Sequence, residues 1–344
     1  MASLSGVMFT NQTGSPEKVV FFQDLPIKQG GNVFSSELPL GRAWRTLYVQ
    51  IKATPTTGTA TGPIADGIAN VVESLELSLS GEGEIYSLCG RAAIAAAEIV
   101  SGGREFVNEN FAGVSGTTYT AVIPIVFSQR RGIRPDDLIV DTANYPAVQL
   151  RLLLGGVDRL YTSPGTASCV YTVSVIADYT RDTIDADKTA SWLPFFKMLP
   201  TKDVSLSPFL IDLPRQFNTA ITDVFGVVTD SAAPWTGVGK NDAIVHYSMR
   251  VPNGQIGLRE VPAGILERLN TFENGYPSGA VRTGFLSHSF PHWSGKLTQG
   301  ISTALLAALT LEWKATGVTG RHLHVVVAGV RSMQISRFSV DSGV

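Results

Sequence analysis

Cysteine is scarce in this chain: Cys89 and Cys169 are the two among 344 residues, and both lie in apolar runs without C-x-x-C spacing. That excludes a disulfide framework and argues against a cysteine-built zinc site, so two buried free thiols are expected. Charge is sparse too. Only 16% of residues are charged, and 27 Lys and Arg against 29 Asp and Glu leave a formal net charge of −2. Without a basic excess no global field draws in a polyanion, so neither genome coating by charge neutralisation nor sequence-specific nucleic acid binding is expected. No run reaches the 18 uninterrupted apolar residues of a membrane-spanning helix. The start lacks the basic-then-apolar order of a secretion signal, so synthesis in a reducing cytoplasm is expected and the sequon Asn11-Gln12-Thr13 is read as chance.

What is present is apolar and heavily punctuated. Hydrophobic residues make up 44%, with 34 Gly and 18 Pro spread throughout, which points to ordered β-structure with many turns. The length suggests roughly two domains. A mean hydropathy of +0.15 suggests apolar surface that partner subunits cover.

Residues 1–18 are small, polar and aperiodic, with Lys18 as their only basic side chain, and read as an arm that orders against a neighbour. From Val33 on, runs rich in β-branched and aromatic residues alternate with Gly, Pro, Asn, Asp and Ser clusters. Strands are expected near 33–39, 44–53, 71–80, 84–88, 119–128, 137–141, 146–154 and 169–179. Leu75, Leu77 and Leu79 alternate with Glu76, Ser78 and Ser80, so one face of that strand is buried. A second set is expected near 204–212, 217–229, 242–251, 254–258, 281–289, 296–300, 303–313 and 322–331. Between them, Asp178 to Leu199 carries Trp192, Pro194, Phe195 and Phe196 and reads as a linker whose aromatics pack between two domains.

The two sets follow one plan. SLELSLSGEGEIYSL in the first, a strand, a Gly-Glu-Gly turn and a strand, is matched by HYSMRVPNGQIGL in the second, with Gly83 aligned to Gly254. A helix-forming stretch follows each: 91–100, and 262–270 with Pro262 suited to a first turn. The chain is therefore expected to be all-β: two tandem eight-stranded antiparallel jelly rolls, each with a short helix. The division is an arm at 1–18, a first jelly roll at 19–187 and a second at 188–344 that includes the linker and a C-terminal tail. An immunoglobulin-like sandwich competes, but the buried Trp between paired cysteines is missing.

Candidate chemistry is thin. His322 and His324 alternate on the last strand, and His288 and His292 fall near a strand end, yet no Cys or acidic cluster at ligand spacing accompanies them. Surface or interface histidines are expected. Gly113-Val114-Ser115-Gly116 misses the last glycine of a nucleophile elbow, and Gly237-Val238-Gly239-Lys240 lacks the spacing of a phosphate loop. Glu82/Glu84 and Asp136/Asp137 read as turn residues, and any calcium would have to bind between subunits. The cluster Arg130, Arg131 and Arg134 has no interleaved aromatics to stack bases. No catalytic, cofactor-binding or metal residue is assigned, and no cofactor is expected.

Two consecutive jelly rolls, carried by NVFSSELPLGRAWRTLYVQI, SLELSLSGEGEIYSL and their counterparts SPFLIDLPRQFNTAITDVF and HYSMRVPNGQIGL, resemble the double jelly-roll major capsid proteins of tailless icosahedral viruses. Tectivirus-, corticovirus- and finnlakevirus-like phages with an internal membrane are similar in size. The resemblance spans about Val33 to Met333. It implies no enzyme activity, a pseudo-hexagonal homotrimer that tiles an icosahedral shell, trimer–trimer contacts, penton or minor capsid proteins as partners, and possibly the internal viral membrane. It also implies residence in the virion after synthesis in the host cytoplasm. The connections 54–70, 102–118, 229–241 and 271–280 become candidates for outer towers and side contacts. Two other readings stay open. One is a carbohydrate-binding or host-attachment sandwich, with Trp235 and Trp293 as candidate exposed aromatics; the other is a cupin-like metal enzyme using His288, His292, His322 and His324.

Overall fold

The computed structural model describes residues 17–27, 33–41, 43–100, 108–127, 140–180, 192–204, 209–213, 219–233, 235–237, 239–240, 242–250, 258–262, 265, 284–289, 301–302, 310–316 and 318–332. Sixteen principal strands occur among them. In the first half these are β1 (Glu17–Ile27), β2 (Val33–Glu37), β3 (Ala43–Thr56), β4 (Val72–Leu79), β5 (Gly83–Leu88), β6 (Tyr119–Val126), β7 (Val148–Leu154) and β8 (Ser168–Thr180). In the second they are β9 (Trp192–Met198), β10 (Phe209–Asp212), β11 (Thr219–Thr229), β12 (Ile244–Arg250), β13 (Leu258–Pro262), β14 (Phe285–Ser289), β15 (Thr310–Ala315) and β16 (His322–Ser332). Two helices of the first half, α1 (Gly67–Val71) and α2 (Gly90–Val100), lie before β4 and after β5.

The pairing defines two barrels of one topology. The first packs a sheet of order β1-β8-β3-β6 against one of order β2-β7-β4-β5; the second uses β9-β16-β11-β14 and β10-β15-β12-β13. Adding eight to every label turns one barrel into the other. All pairs within a barrel are antiparallel, and each barrel closes as a jelly roll. The likeness extends to a two-residue accessory strand: Val140–Asp141 pairs with the start of β3 and Ile301–Ser302 with the start of β11.

Alternating side chains set the sheets in place. Along β7, Val148, Leu150, Leu152 and Leu154 are buried while Gln149 and Arg151 are exposed. In β3, Leu47, Val49 and Ile51 are wholly buried, each stabilising the fold by about 1.5–3 kcal/mol. The alanine-rich α2 lies against β6, and Gly90 at its start is needed because a Cβ there would sit 2.3 Å from the Ala69 carbonyl oxygen.

The structure corrects the sequence reading in the same way in both copies. The first strand of each barrel was absent from it: β1 starts inside the expected arm, and β9 is a strand where a linker was expected. β1 hides its alternation behind two register shifts, a positive φ of 48° at Asp24, and an edge position that leaves most of its side chains exposed. β9 carries Pro194, which argues against a strand; the proline is tolerated because the pairing with β5 covers only Phe196 and Lys197, beyond it. The stretches 137–141 and 296–300, expected as full strands, correspond to the short accessory pairs or lie outside the described residues. Each barrel keeps eight principal strands, and α2 follows the fifth of them, not the fourth. Pro262 ends β13 and so does not open the helix expected at 262–270; Ile265 is helical, and residues 263, 264 and 266–270 lie outside the described residues, as does Gly254.

Candidate assembly site at the seam between the barrels

β9 joins the barrels. It pairs antiparallel with β16 along its length and parallel with β5 at Phe196↔Tyr86 and Lys197↔Ser87, so one sheet runs β14-β11-β16-β9-β5-β4-β7-β2 across both barrels. Phe196 and Tyr86 are both buried, their rings 5.4 Å apart and tilted by 53°. Burial holds the Tyr86 hydroxyl well above its ordinary pKa, so it stays neutral. Of the aromatics expected to pack between the domains, Phe196 does so, as part of a strand, while the side chain of Trp192 lies outside the described residues.

Two arginines tie the seam on either side. Arg331 of β16 donates from Nη2 to the Glu82 carbonyl oxygen at 2.6 Å and lies 3.5 Å from the Glu82 carboxylate, with both side chains less than 15% exposed. Around them a cavity of about 250 Å³ is lined by Glu82, Glu84, Ile85, Phe196, Thr219 and Arg331. Arg91 of α2 donates to the carbonyl oxygens of Trp235 (3.1 Å) and Gly237 (3.2 Å) and lies 3.6 Å from Asp66. A second cavity, about 190 Å³, lies between Asn70, Arg91 and Arg159 of the first barrel and Trp235 of the second.

The candidate residues named from sequence sort as follows. Glu82 sits in the β4–β5 turn between Gly81 and Gly83, both at positive φ, but its partner Arg331 lies 249 residues away and had no sequence signal. Trp235 is not an exposed sugar platform: it is 4% exposed, at φ +55°, and packs edge-on against Phe225 at 6.1 Å. Lys240 of the glycine-rich string pairs with Asp230 at 3.2 Å in a turn. Gly113 and Gly116 adopt positive φ in a loop. Cys89 and Cys169 are free and buried, and burial raises both thiols to about 11. Asp136, Asp137, Arg130, Arg131, Arg134, His292 and Trp293 lie outside the described residues, as does the side chain of His288 on β14.

His324 is 1% exposed in the second barrel. Its Nε2 lies 3.1 Å from the Ser231 carbonyl oxygen and 3.0 Å from Thr229 Oγ1, and its Nδ1 lies 3.0 Å from Thr201 Oγ1. A carbonyl only accepts, so Nε2 carries the proton and Nδ1 accepts from Thr201. Burial lowers its pKa to about 4, which keeps the ring neutral near pH 7. His322 is partly exposed, and no cluster of three metal-ligating side chains occurs among the described residues. His324 is thus a satisfied interior group, not the surface or interface residue expected.

Two jelly rolls of one strand order, fused through a shared sheet, define the double jelly-roll class. Solved members of that class match nearly the whole chain. The crystal structure of the STIV major capsid protein superposes with a TM-score of 0.68 at 16% identity, covering 95% of this chain and 100% of that one. The major capsid protein of bacteriophage PM2 gives 0.61 at 12%, covering 94% and 99%, and the Faustovirus major capsid protein 0.58 at 7%, covering 95% and 92%. At these identities the likeness is one of fold. No protein-family model and no curated protein matches the sequence.

Proposed function

We propose that this chain is the major capsid protein of a tailless icosahedral virus, a structural protein of the virion and not an enzyme. The observation that carries the reading is the repeated strand order with its fixed seam. Three copies, each presenting two like barrels held side by side by β5 and β9, place six similar bodies around one axis, and a near-hexagonal block of that kind tiles a closed shell. The matching solved structures are themselves coat proteins. The functional division is an arm before β1, a first jelly roll from β1 to about residue 187 and a second jelly roll beyond it. Assembly would use homotrimer and trimer–trimer contacts, penton or minor capsid proteins at the vertices, and in an internal-membrane virus the bilayer beneath the shell. A net charge of −2 suits a coat that need not neutralise a genome. Light scattering of the purified protein together with electron microscopy of assembled material tests the reading. A trimer that forms pseudo-hexagonal arrays is expected; a stable monomer at every concentration, forming no arrays, would overturn it.

A further inference from the structure

Three connections meet at one end of the first barrel. Thr61–Pro63, after β3, pairs antiparallel with Tyr161–Ser163, before β8. Thr59 Oγ1 accepts from Thr166 N at 3.1 Å, and Thr166 Oγ1 accepts from Thr59 N at 3.2 Å. The loop before β6 joins them: Gly116 N donates to the Pro55 carbonyl oxygen, the Thr54 and Thr118 hydroxyls lie 2.8 Å apart, and Phe111 packs edge-on against Tyr161 at 5.4 Å. The result is a cross-bonded tip whose aromatics, Phe111, Tyr119 and Tyr161, continue the core of the barrel.

Among the described residues the tip carries no charge. Residues 53–65, 110–121 and 160–170 contain no Asp, Glu, Lys, Arg or His. Charges resume at its base, in Asp66, Glu109, Asp158 and Arg159. Its exposed surface consists largely of hydroxyls and glycines: Thr56, Thr59, Thr61, Ser115, Thr117, Thr118, Thr162, Ser163 and Thr166 are all exposed. Two exposed large apolar side chains lie on or beside it, Val114 at 56% and Val170 at 66%.

We infer that this tip is a self-association surface whose partner is the same tip of a second copy, meeting near a rotation axis. Close to such an axis each group faces its own copies, so any charge there repels itself. Hydroxyls avoid the conflict because each both donates and accepts, and Val114 and Val170 supply apolar area to cover. The cross-bonded ribbon is already ordered, so little entropy is lost on docking. The inference rests on the trimer reading above and assigns the contact that holds the trimer at this end.

Lysine placed on the tip tests it. Val114→Lys and Ser115→Lys alter exposed side chains outside the core, and Leu40→Lys, 42% exposed between β2 and β3 at the other end of the barrel, serves as control. Sedimentation at graded concentrations is expected to show the trimer midpoint of both tip variants raised at least about tenfold, with partial recovery in high salt as the like charges are screened. Leu40→Lys is expected to match the parent. Circular dichroism identifies a variant that fails to fold, and the other tip variant then decides. Folded tip variants that trimerise like the parent, or an equal loss in Leu40→Lys, would overturn the tip assignment alone. A parent protein that never trimerises would overturn the assembly reading with it.

Discussion

Acid should weaken this protein through His324 well before most carboxylates titrate. The unfolded side chain takes a proton near pH 6.5, whereas the folded one, held neutral among Thr201, Thr229 and Ser231, does so only near pH 4. Between those values the unfolded chain binds more protons, so stability is fully present above about pH 6.5 and declines as pH falls toward 4. The difference of about 2.5 pKa units corresponds to roughly 3 kcal/mol in all, with a limiting slope of about 1.4 kcal/mol per pH unit. Below about pH 4 both states are protonated and this group adds no further loss. Asp24 and Asp242, held low by their hydrogen bonds to Lys52 and Arg321, act on a lower window, so the two effects separate. The assay is urea denaturation at fixed protein concentration from pH 4 to 8, followed by tryptophan fluorescence, for the parent and for His324→Gln. The parent is expected to lose stability across the window and His324→Gln to start lower but show a flatter profile. Parallel profiles would refute the assignment of a buried neutral ring.

Other outcomes follow from the seam and the packing. Phe196→Ala should cost about 3–5 kcal/mol and split thermal unfolding into two calorimetric transitions, because it empties the ring contact with Tyr86 that couples the barrels. Gly329→Ala should cost about 1–3 kcal/mol or more by denaturant midpoint, since the new Cβ would lie 2.4 Å from the Ala220 carbonyl oxygen and 2.6 Å from the Phe195 ring. Cys89 and Cys169 should resist a thiol reagent at pH 8 until the protein is unfolded, as buried thiols raised to about 11 hold almost no thiolate. Deleting residues 1–16 should leave a folded protein by circular dichroism with impaired array formation. Deleting residues 1–27 should yield insoluble chain, since β8 then loses its partner β1.

The parts of this fold that could be read from sequence are those where one strand face is buried and the other is wet. Leu75, Leu77 and Leu79 announced β4, and Val148 to Leu154 announced β7, because alternation at a period of two records the environment directly. The tight Gly-Glu-Gly turn and the helix after it were legible from residue type alone. β1 and β9 were not. One is an exposed edge with bulges; the other contains Pro194, and local composition carries no record of the strand each will lie beside. The candidate site was less legible still. Arg331 belongs to no sequence motif, Trp235 reads as a candidate exposed aromatic and His324 as one of an alternating pair. What each does is set by residues far away in the chain: Glu82 for Arg331, Arg91 for Trp235, and Ser231 with Thr201 for His324.

The two missed strands are equivalent, each the first of its barrel, and that equivalence bears on how the barrels are joined. Both open a barrel at the edge of a four-stranded sheet, so each exposes one side of its backbone. In β9 that side is used internally, by pairing with β5, which converts an edge into the joint between the barrels. In β1 it has no such use within the described chain, and Val20 (52% exposed) and Leu25 (36%) lie along it. A duplicated unit that satisfies one copy of this edge inside the molecule fixes the angle between its barrels through backbone hydrogen bonds. Under the coat-protein role proposed above, that rigidity is what a repeating shell would need, because a small angular error at the seam would be multiplied at every neighbouring subunit.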